Sequence, residues 1–231
     1  RPVIEVRTHP AAGGAEVLAV GVTDHPDPDS QLDSVPTTAL PVAARASLVE
    51  FLADAPALKP AEVRPLPLVD QVPSRILVVG LGSGTANDLR RGAAALARAA
   101  DTATLAIALP GTGDDDLAVF VEALLLGGHR FSLASKPKPA PLKTAEFVGV
   151  TDATILERGI DSAAAVAWVR DLANAPSSTK TPQWLAAQAA AILPPAGVEV
   201  IVRDEAWLLE NGFGGVLAVG AGSAAPPRLV E

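Results

Sequence analysis

Cysteine is absent from this 231-residue chain, which excludes disulfides and thiol chemistry and places no demand for an oxidising compartment. Aromatic residues make up 3% and charged residues 19%, against 49% hydrophobic, so the core has to be built from Ala, Val and Leu. Basic residues are outnumbered. The net charge of -8 lacks the positive footprint of a phosphate-backbone binder, which argues against nucleic acid. No apolar run reaches the roughly 20 residues needed to span a bilayer, and no stretch resembles a signal peptide, so no membrane role is expected. The simplest reading is a soluble cytoplasmic protein. Its start at Arg1 rather than Met leads us to expect that residues are missing or processed at that end.

Catalytic constellations are missing as well. His9, His25 and His129 are far apart and in no metal-ligand spacing. There is no HExxH helix, and Ser83 lies in Gly-Ser-Gly, one register away from a nucleophile elbow. No catalytic, cofactor-binding or metal-binding residue is therefore assigned within the chain. A length of 231 residues allows one or two domains.

What is present is an alternation of strand-like and helix-like segments. Val3–Arg7 and Glu16–Val22 read as strands, joined by a turn over His9–Gly14. The loop from Thr23 to Pro36 carries Asp24, Asp27, Asp29 and Asp33. Hard oxygens suit calcium, but the spacing is not that of an EF-hand, and a solvated loop is the simpler reading. Thr38–Ala53 shows a helical apolar stripe. Ala55–Pro60 breaks it. Glu62–Val69, interrupted by Pro65 and Pro67, suits only an edge strand. Arg75–Gly80 is a buried-type strand that runs through Gly80-Leu81-Gly82-Ser83-Gly84 into a helix over Asn87–Ala100. This is the context in which backbone amides cradle a phosphate. However, Thr85 stands where the dinucleotide fingerprint has its third glycine, and no P-loop lysine follows. Thr102–Leu109 is another strand. Asp114, Asp115 and Asp116 open a helix over Leu117–Gly127, where acids favour the positive end of the macrodipole. Ser135–Lys143, with alternating prolines, should be extended and exposed. Phe147–Val150 is a short strand.

The last third is the most sharply punctuated. Ile160–Ala175 is helical and stops at Asn174-Ala175-Pro176. Thr181-Pro182 reads as an N-cap followed by proline at the first helical position, opening a helix that ends before Pro194-Pro195. Val198–Arg203 alternates like a strand, and Asp204 can cap a short helix ending near Asn211-Gly212. Gly215–Val219 is a continuous apolar run of the kind found in covered strands. Strand, helix, strand in this order predicts a parallel βαβ unit.

Arg170-Asp171-Leu172, Asn174-x-Pro176, Thr181-Pro182-x-x-Leu185, Gly212-Phe213-Gly214, Ala218-Val219-Gly220-x-Gly222-Ser223 and Pro226-Pro227-Arg228 together resemble the M17 leucyl aminopeptidase family. They are similar to its interdomain helix and the opening of its catalytic domain. Phe213 stands where the family usually has Met, and Ser178 where it often has Asn. The resemblance extends to the Gly80–Gly82 turn and to Glu122–Phe131, where His129 replaces a tyrosine. It implies an α/β protein with three parts. Residues 1–152 would be a macro-like three-layer N-terminal domain with a mostly parallel central sheet, 153–176 an interdomain linker helix, and 177–231 the truncated opening of a second α/β domain.

The resemblance also implies a hexameric enzyme of the cytoplasm that removes N-terminal residues from peptides with two divalent metals, Mn or Zn. Those metals would be held by a lysine, three aspartates and a glutamate in the region following Pro-Pro-Arg. That region is not in the sequence, so we expect this chain to be the front piece of a longer enzyme, to bind no metal and to be inactive alone. Two other readings stay open. One is a stand-alone macro-like module that binds a nucleotide or protein through Gly80–Gly84. The other is nucleic-acid binding through Arg90, Arg91 and Arg98, whose small cluster is flanked by Asp88 and Asp101 and opposed by the net charge.

Overall fold

The computed structural model describes residues 4–11, 15–27, 29–32, 35–54, 58–132 and 141–231. Val3 of the first expected strand, turn residues 12–14, Asp33, residues 55–57 of the helix break and residues 135–140 of the Pro-rich run lie outside the described residues. The chain divides into two compact units, residues 1–170 and 171–231.

The first unit is built on a six-stranded sheet. Its strands are β1 (Glu5–His9), β2 (Val17–Val22), β3 (Val63–Pro67), β4 (Arg75–Gly80), β5 (Thr104–Ala108) and β6 (Thr144–Val148), in the order β1-β6-β5-β2-β4-β3. All neighbours pair in parallel except β3, which runs antiparallel to β4. Parallel pairing needs crossovers. They are supplied by α2 (Ala86–Ala99) between β4 and β5 and by α3 (Asp114–Gly128) between β5 and β6, while α1 (Val42–Asp54) lies between β2 and β3.

Side-chain alternation splits the core into two layers. Ala19, Leu77, Val79, Leu105, Ile107, Ala145 and Phe147 face one way. They pack with Leu89 and Leu96 of α2, Phe120, Val121 and Leu124 of α3, and Leu156 and Ala163 of α4 (Ala153–Asn174). Leu18, Val20, Ile76, Val78, Ala106 and Ala108 face the other way, onto Ala44 and Leu48 of α1 and onto Leu32, Val35 and Leu40 of the preceding loop. The result is the expected three-layer α/β arrangement with a mostly parallel sheet. One aromatic pair sits at its centre: Phe120 and Phe147 meet edge to face at 6.1 Å.

Small residues let the layers approach. A Cβ on Gly127 of α3 would lie 2.7 Å from the Ala94 Cα and 2.9 Å from its carbonyl oxygen on α2. A Cβ on Gly159 of α4 would lie 2.6 Å from the Ala118 oxygen on α3. An Ala-rich core compensates for its small side chains by bringing backbones together.

Helix starts differ from expectation where a cap decides them. The Thr38–Ala53 helix begins at Val42, just after Pro41, whose carbonyl accepts from the Arg45 N–H at 2.8 Å. The helix expected from Ile160 begins at Ala153, because Asp152 Oδ1 accepts from the Thr154 N–H at 2.9 Å.

The second unit holds α5 (Pro182–Ile192), a 3-10 turn (Pro194–Ala196), β7 (Val202–Arg203), α6 (Glu205–Glu210), α7 (Gly214–Gly220) and β8 (Leu229–Val230). The expected caps are present. Thr181 Oγ1 accepts from the Trp184 N–H at 3.1 Å, and Asp204 Oδ1 from the Trp207 N–H at 3.0 Å. Two expectations are corrected. Gly215–Val219 is not a strand but most of α7, and no parallel βαβ unit forms: β7 and β8 are antiparallel. A five-residue apolar run does not carry enough periodicity to separate strand from helix. The Val198–Arg203 strand is likewise reduced to Val202–Arg203, because its partner β8 is only two residues long.

Two predictions test this packing. Gly127→Ala should destabilise the protein by about 1–3 kcal/mol in urea unfolding, despite alanine's better helix propensity. Ala94→Gly should not rescue it, because the clash is with backbone; full rescue would contradict the close helix approach. The second concerns the ion pair between Arg75 and Asp101. The Arg75 hydrogen bond holds the Asp101 carboxyl below its ordinary value of 3.8, so the pair stabilises the fold above that pH and loses its effect as the pH falls through the lowered value. Asp101 is mostly exposed, so Asp101→Asn should cost less than about 1 kcal/mol at neutral pH. The cost should fade on acidification, and a cost that stays constant with pH would refute the assignment.

Candidate functional site

The glycine turn between β4 and α2 is the position where a phosphate would be held, and the chain's own carboxylate fills it. Gly82 adopts φ +54°, a conformation that favours glycine, and Gly84 adopts φ +76°. Thr85 is the N-cap of α2, and its hydroxyl oxygen accepts from the Asp88 N–H at 3.3 Å. Asp88 reaches back: its Oδ2 accepts from the Thr85 hydroxyl at 2.8 Å and from the Ser83 hydroxyl at 3.3 Å. This is a reciprocal capping arrangement with aspartate in the third helical position. A Cβ on Gly82 would come within 3.0 Å of the Asp88 carboxyl carbon. Residue 82 therefore has to be glycine for the turn's dihedral and for the approach of Asp88. A negative charge already occupies the positive end of the helix, which opposes a phosphate there. The Thr85-x-x-Asp88 spacing is the sequence signal for this cap.

One concavity of the first unit lies beyond the C-terminal ends of β5 and β6, the usual place for ligands in parallel sheets. It measures about 330 Å³ and lies between the loop carrying Gly111, Thr112 and Asp114 and the loop carrying Gly149, Thr151 and Asp152. Its two carboxylates disfavour an anionic ligand. Asp152 is engaged as the cap of α4, and hydrogen bonds from Thr154 hold its pKa below the ordinary value.

The remaining candidates are dispersed. Asp27 accepts from the Ser30 hydroxyl at 2.6 Å, which keeps its pKa low and ties it into a local turn. Asp115 pairs with Arg158 of α4 at 2.8 Å rather than with its neighbours. Arg90, Arg91 and Arg98 are exposed on α2. Among the described residues, no three His, Cys, Asp or Glu side chains come together in a way that could hold a metal ion.

In the second unit, α5, α7 and the segment leading to β8 enclose an apolar groove of about 500 Å³ lined by Pro182, Val216, Val219, Gly220 and Pro227. Arg203 lies 4.6 Å over the Trp207 ring, which in turn meets Phe213 at 5.5 Å. Ala186 and Leu208 are this unit's fully buried apolar residues, whereas Leu209 is 72% and Val219 90% exposed.

These features define a three-layer α/β domain, without a ligand-binding constellation among its described residues, followed by a unit with an open apolar face. Residues 37–137 match the N-terminal domain of the cytosol aminopeptidase family, and residues 167–231 match that family's catalytic domain. The chain belongs to the cytosol aminopeptidase (M17) family. It is 40% identical over 173 residues to a probable cytosol aminopeptidase of Mycobacterium ulcerans (strain Agy99), covering 68% of this chain and 33% of that protein. It is 35% identical over 246 aligned positions to one of Nocardia farcinica (strain IFM 10152), covering 97% of this chain and 48% of that protein. The chain thus spans half or less of the length of these relatives. Among solved structures, the bottromycin maturation enzyme BotP in complex with Mn superposes with a TM-score of 0.70 at 29% identity, over 94% of this chain and 44% of BotP. A tomato leucine aminopeptidase mutant shares the fold, with a TM-score of 0.69 at 24% identity, over 99% of this chain and 50% of its own.

Thr85→Ala should lower stability by about 1 kcal/mol through loss of the α2 cap. Calorimetry with ADP-ribose or NAD should show no specific heat at the glycine turn. Micromolar binding that Asp88→Asn strengthened would overturn the view that the turn is structural.

Proposed function

We propose that this chain is the N-terminal part of a dinuclear-metal leucyl aminopeptidase that hydrolyses N-terminal residues from peptides. Residues 1–152 form the macro-like N-terminal domain, 153–176 the linker helix and 177–231 the opening segment of the catalytic domain. The observation that carries this reading is the presence, in order on one chain, of matches to the family's N-terminal and catalytic domains. The open apolar face of the second unit supports it physically. Monomeric domains rarely leave a contiguous apolar surface uncovered, and the rest of a peptidase domain would cover the groove beside Val216 and Val219.

The chain's own residues in this enzyme are structural. The caps at Thr181 and Asp204 fix the first helices of the catalytic domain, and the Arg203–Glu231 pair at 3.3 Å ties β7 to the end of β8. Two divalent ions, Mn or Zn, would activate water and polarise the scissile carbonyl in the complete enzyme. Their ligands, and the contact with peptide substrate, belong to the part of the catalytic domain beyond these residues. The mature assembly is a cytoplasmic homo-hexamer. Among the described residues, no helix is long and apolar enough to cross a membrane.

The competing reading, a stand-alone nucleotide-binding module, is opposed by Asp88 in the glycine turn and by the acidic cleft. Assay of the 231-residue chain with leucyl p-nitroanilide and added Mn or Zn should give no turnover. Extension with the remaining catalytic segment of the Nocardia farcinica relative should give metal-dependent release of nitroaniline. Turnover by the unextended chain would show that the active site has been misplaced.

A further inference from the structure

The two edges of the six-stranded sheet are treated differently. At β3, the Gly80 N–H donates to the Glu62 carbonyl at 2.9 Å, and the Leu68 N–H donates to the Ser74 carbonyl at 2.8 Å. Even-numbered residues of β3 therefore bond inward to β4, and odd-numbered residues turn outward. Pro65 and Pro67 occupy outward positions and remove the donors an incoming strand would need.

At β1 the corresponding donors are intact. The Glu5 N–H donates to the Lys143 carbonyl at 2.7 Å, and the His9 carbonyl accepts from the Gly149 N–H at 3.0 Å. Odd-numbered residues bond toward β6, so the amides and carbonyls of Val6 and Thr8 point away from the sheet. Among the described residues no strand pairs with this side of β1.

We propose that the β1 edge is an interaction surface for a second copy of this chain, with the two β1 strands antiparallel about Val6. Side-chain chemistry selects that register. Hydrogen-bonded antiparallel pairing must match even-numbered with even-numbered residues. Pairing Val6 with Val6 of the second copy places each Glu5 opposite Arg7 of the other. A shift one way sets Arg7 against Arg7, and a shift the other way sets Glu5 against Glu5. Like charges directly opposite are destabilising. Glu5 and Arg7 already form an ion pair at 2.8 Å within the strand, with both side chains more than half exposed. On the other face, Val6 packs against the α2–α3 core layer, so a Val6–Val6 contact continues that layer across the two copies. The twofold axis closes the interface, giving a dimer with a continuous sheet rather than a fibre.

Sedimentation of the 231-residue chain should show a monomer–dimer equilibrium. Glu5→Arg and Arg7→Glu should each weaken it about tenfold, by replacing attractive cross-strand pairs with repulsive ones. An equimolar mixture of the two variants should associate as the wild type does, since each supplies the charge the other lacks. Val6→Pro gives β1 the same block that β3 carries, without removing a bond to β6. It should yield a monomer with an unchanged far-UV circular dichroism spectrum. The proposal is overturned by a chain that stays monomeric throughout, or by association indifferent to all three substitutions, as contact through the apolar face of the second unit would be. A mixture no tighter than the single variants alone would also overturn it.

Discussion

Each of the six residues of β2, Val17 to Val22, is buried, and β2 is hydrogen-bonded to a parallel neighbour on either side. A parallel strand in that position cannot leave a face to water, so both faces must be covered by elements that arrive through crossovers. This requirement organises the first unit. Leu18 and Val20 call for α1 and the loop before it, while Ala19 calls for α2 and α3. The rest of the sheet grows outward from β2 until it reaches β1 and β3, where burial falls and side chains become charged or prolines intervene.

Coverage by small residues has its own logic. With few aromatics, the chain cannot fill wide gaps between layers, so it narrows them. Gly127 against Ala94 and Gly159 against Ala118 bring helix backbones into direct contact. Such contacts carry little transfer free energy individually, but dispersion summed over close-packed backbone is substantial. The cost is intolerance: a methyl group at either glycine meets main chain, which cannot rotate away. In the first unit, Phe120 meets Phe147 edge to face within the α2–α3 core layer.

The sheet was legible in the sequence because its central strands carry near-continuous apolar runs. Arg75–Gly80 and Thr104–Ala108 stand out, and Pro65 and Pro67 marked β3 as an edge. Caps were legible too, at Thr181 and Asp204, since their side chains act locally. Strand order and the two-residue pairing of β7 with β8 were not, since both depend on partners distant in sequence. Gly215–Val219 was misread for a related reason. Val216 and Val219 favour strand and Leu217 and Ala218 favour helix, and in so short a run tertiary context decides.

The candidate site shows how a motif changes meaning with one residue beyond it. Gly80, Gly82 and Gly84 after a buried strand satisfy most of what a phosphate cradle requires, and the helix that follows has its N-terminus in place. Free amides at such an end attract whichever anion can reach them. Asp88 is attached to the same turn, so its carboxylate is held beside the helix start at a high effective concentration. Ser83 and Thr85 then spend their hydroxyls on that carboxylate rather than on a ligand. The glycines remain indispensable, Gly82 above all, but they serve a tight turn that sets α2 against the sheet. A strand–glycine–helix pattern thus loses force as a ligand signal where an acid in the first helical turn folds back onto the turn's own hydroxyls, as Asp88 does onto Ser83 and Thr85.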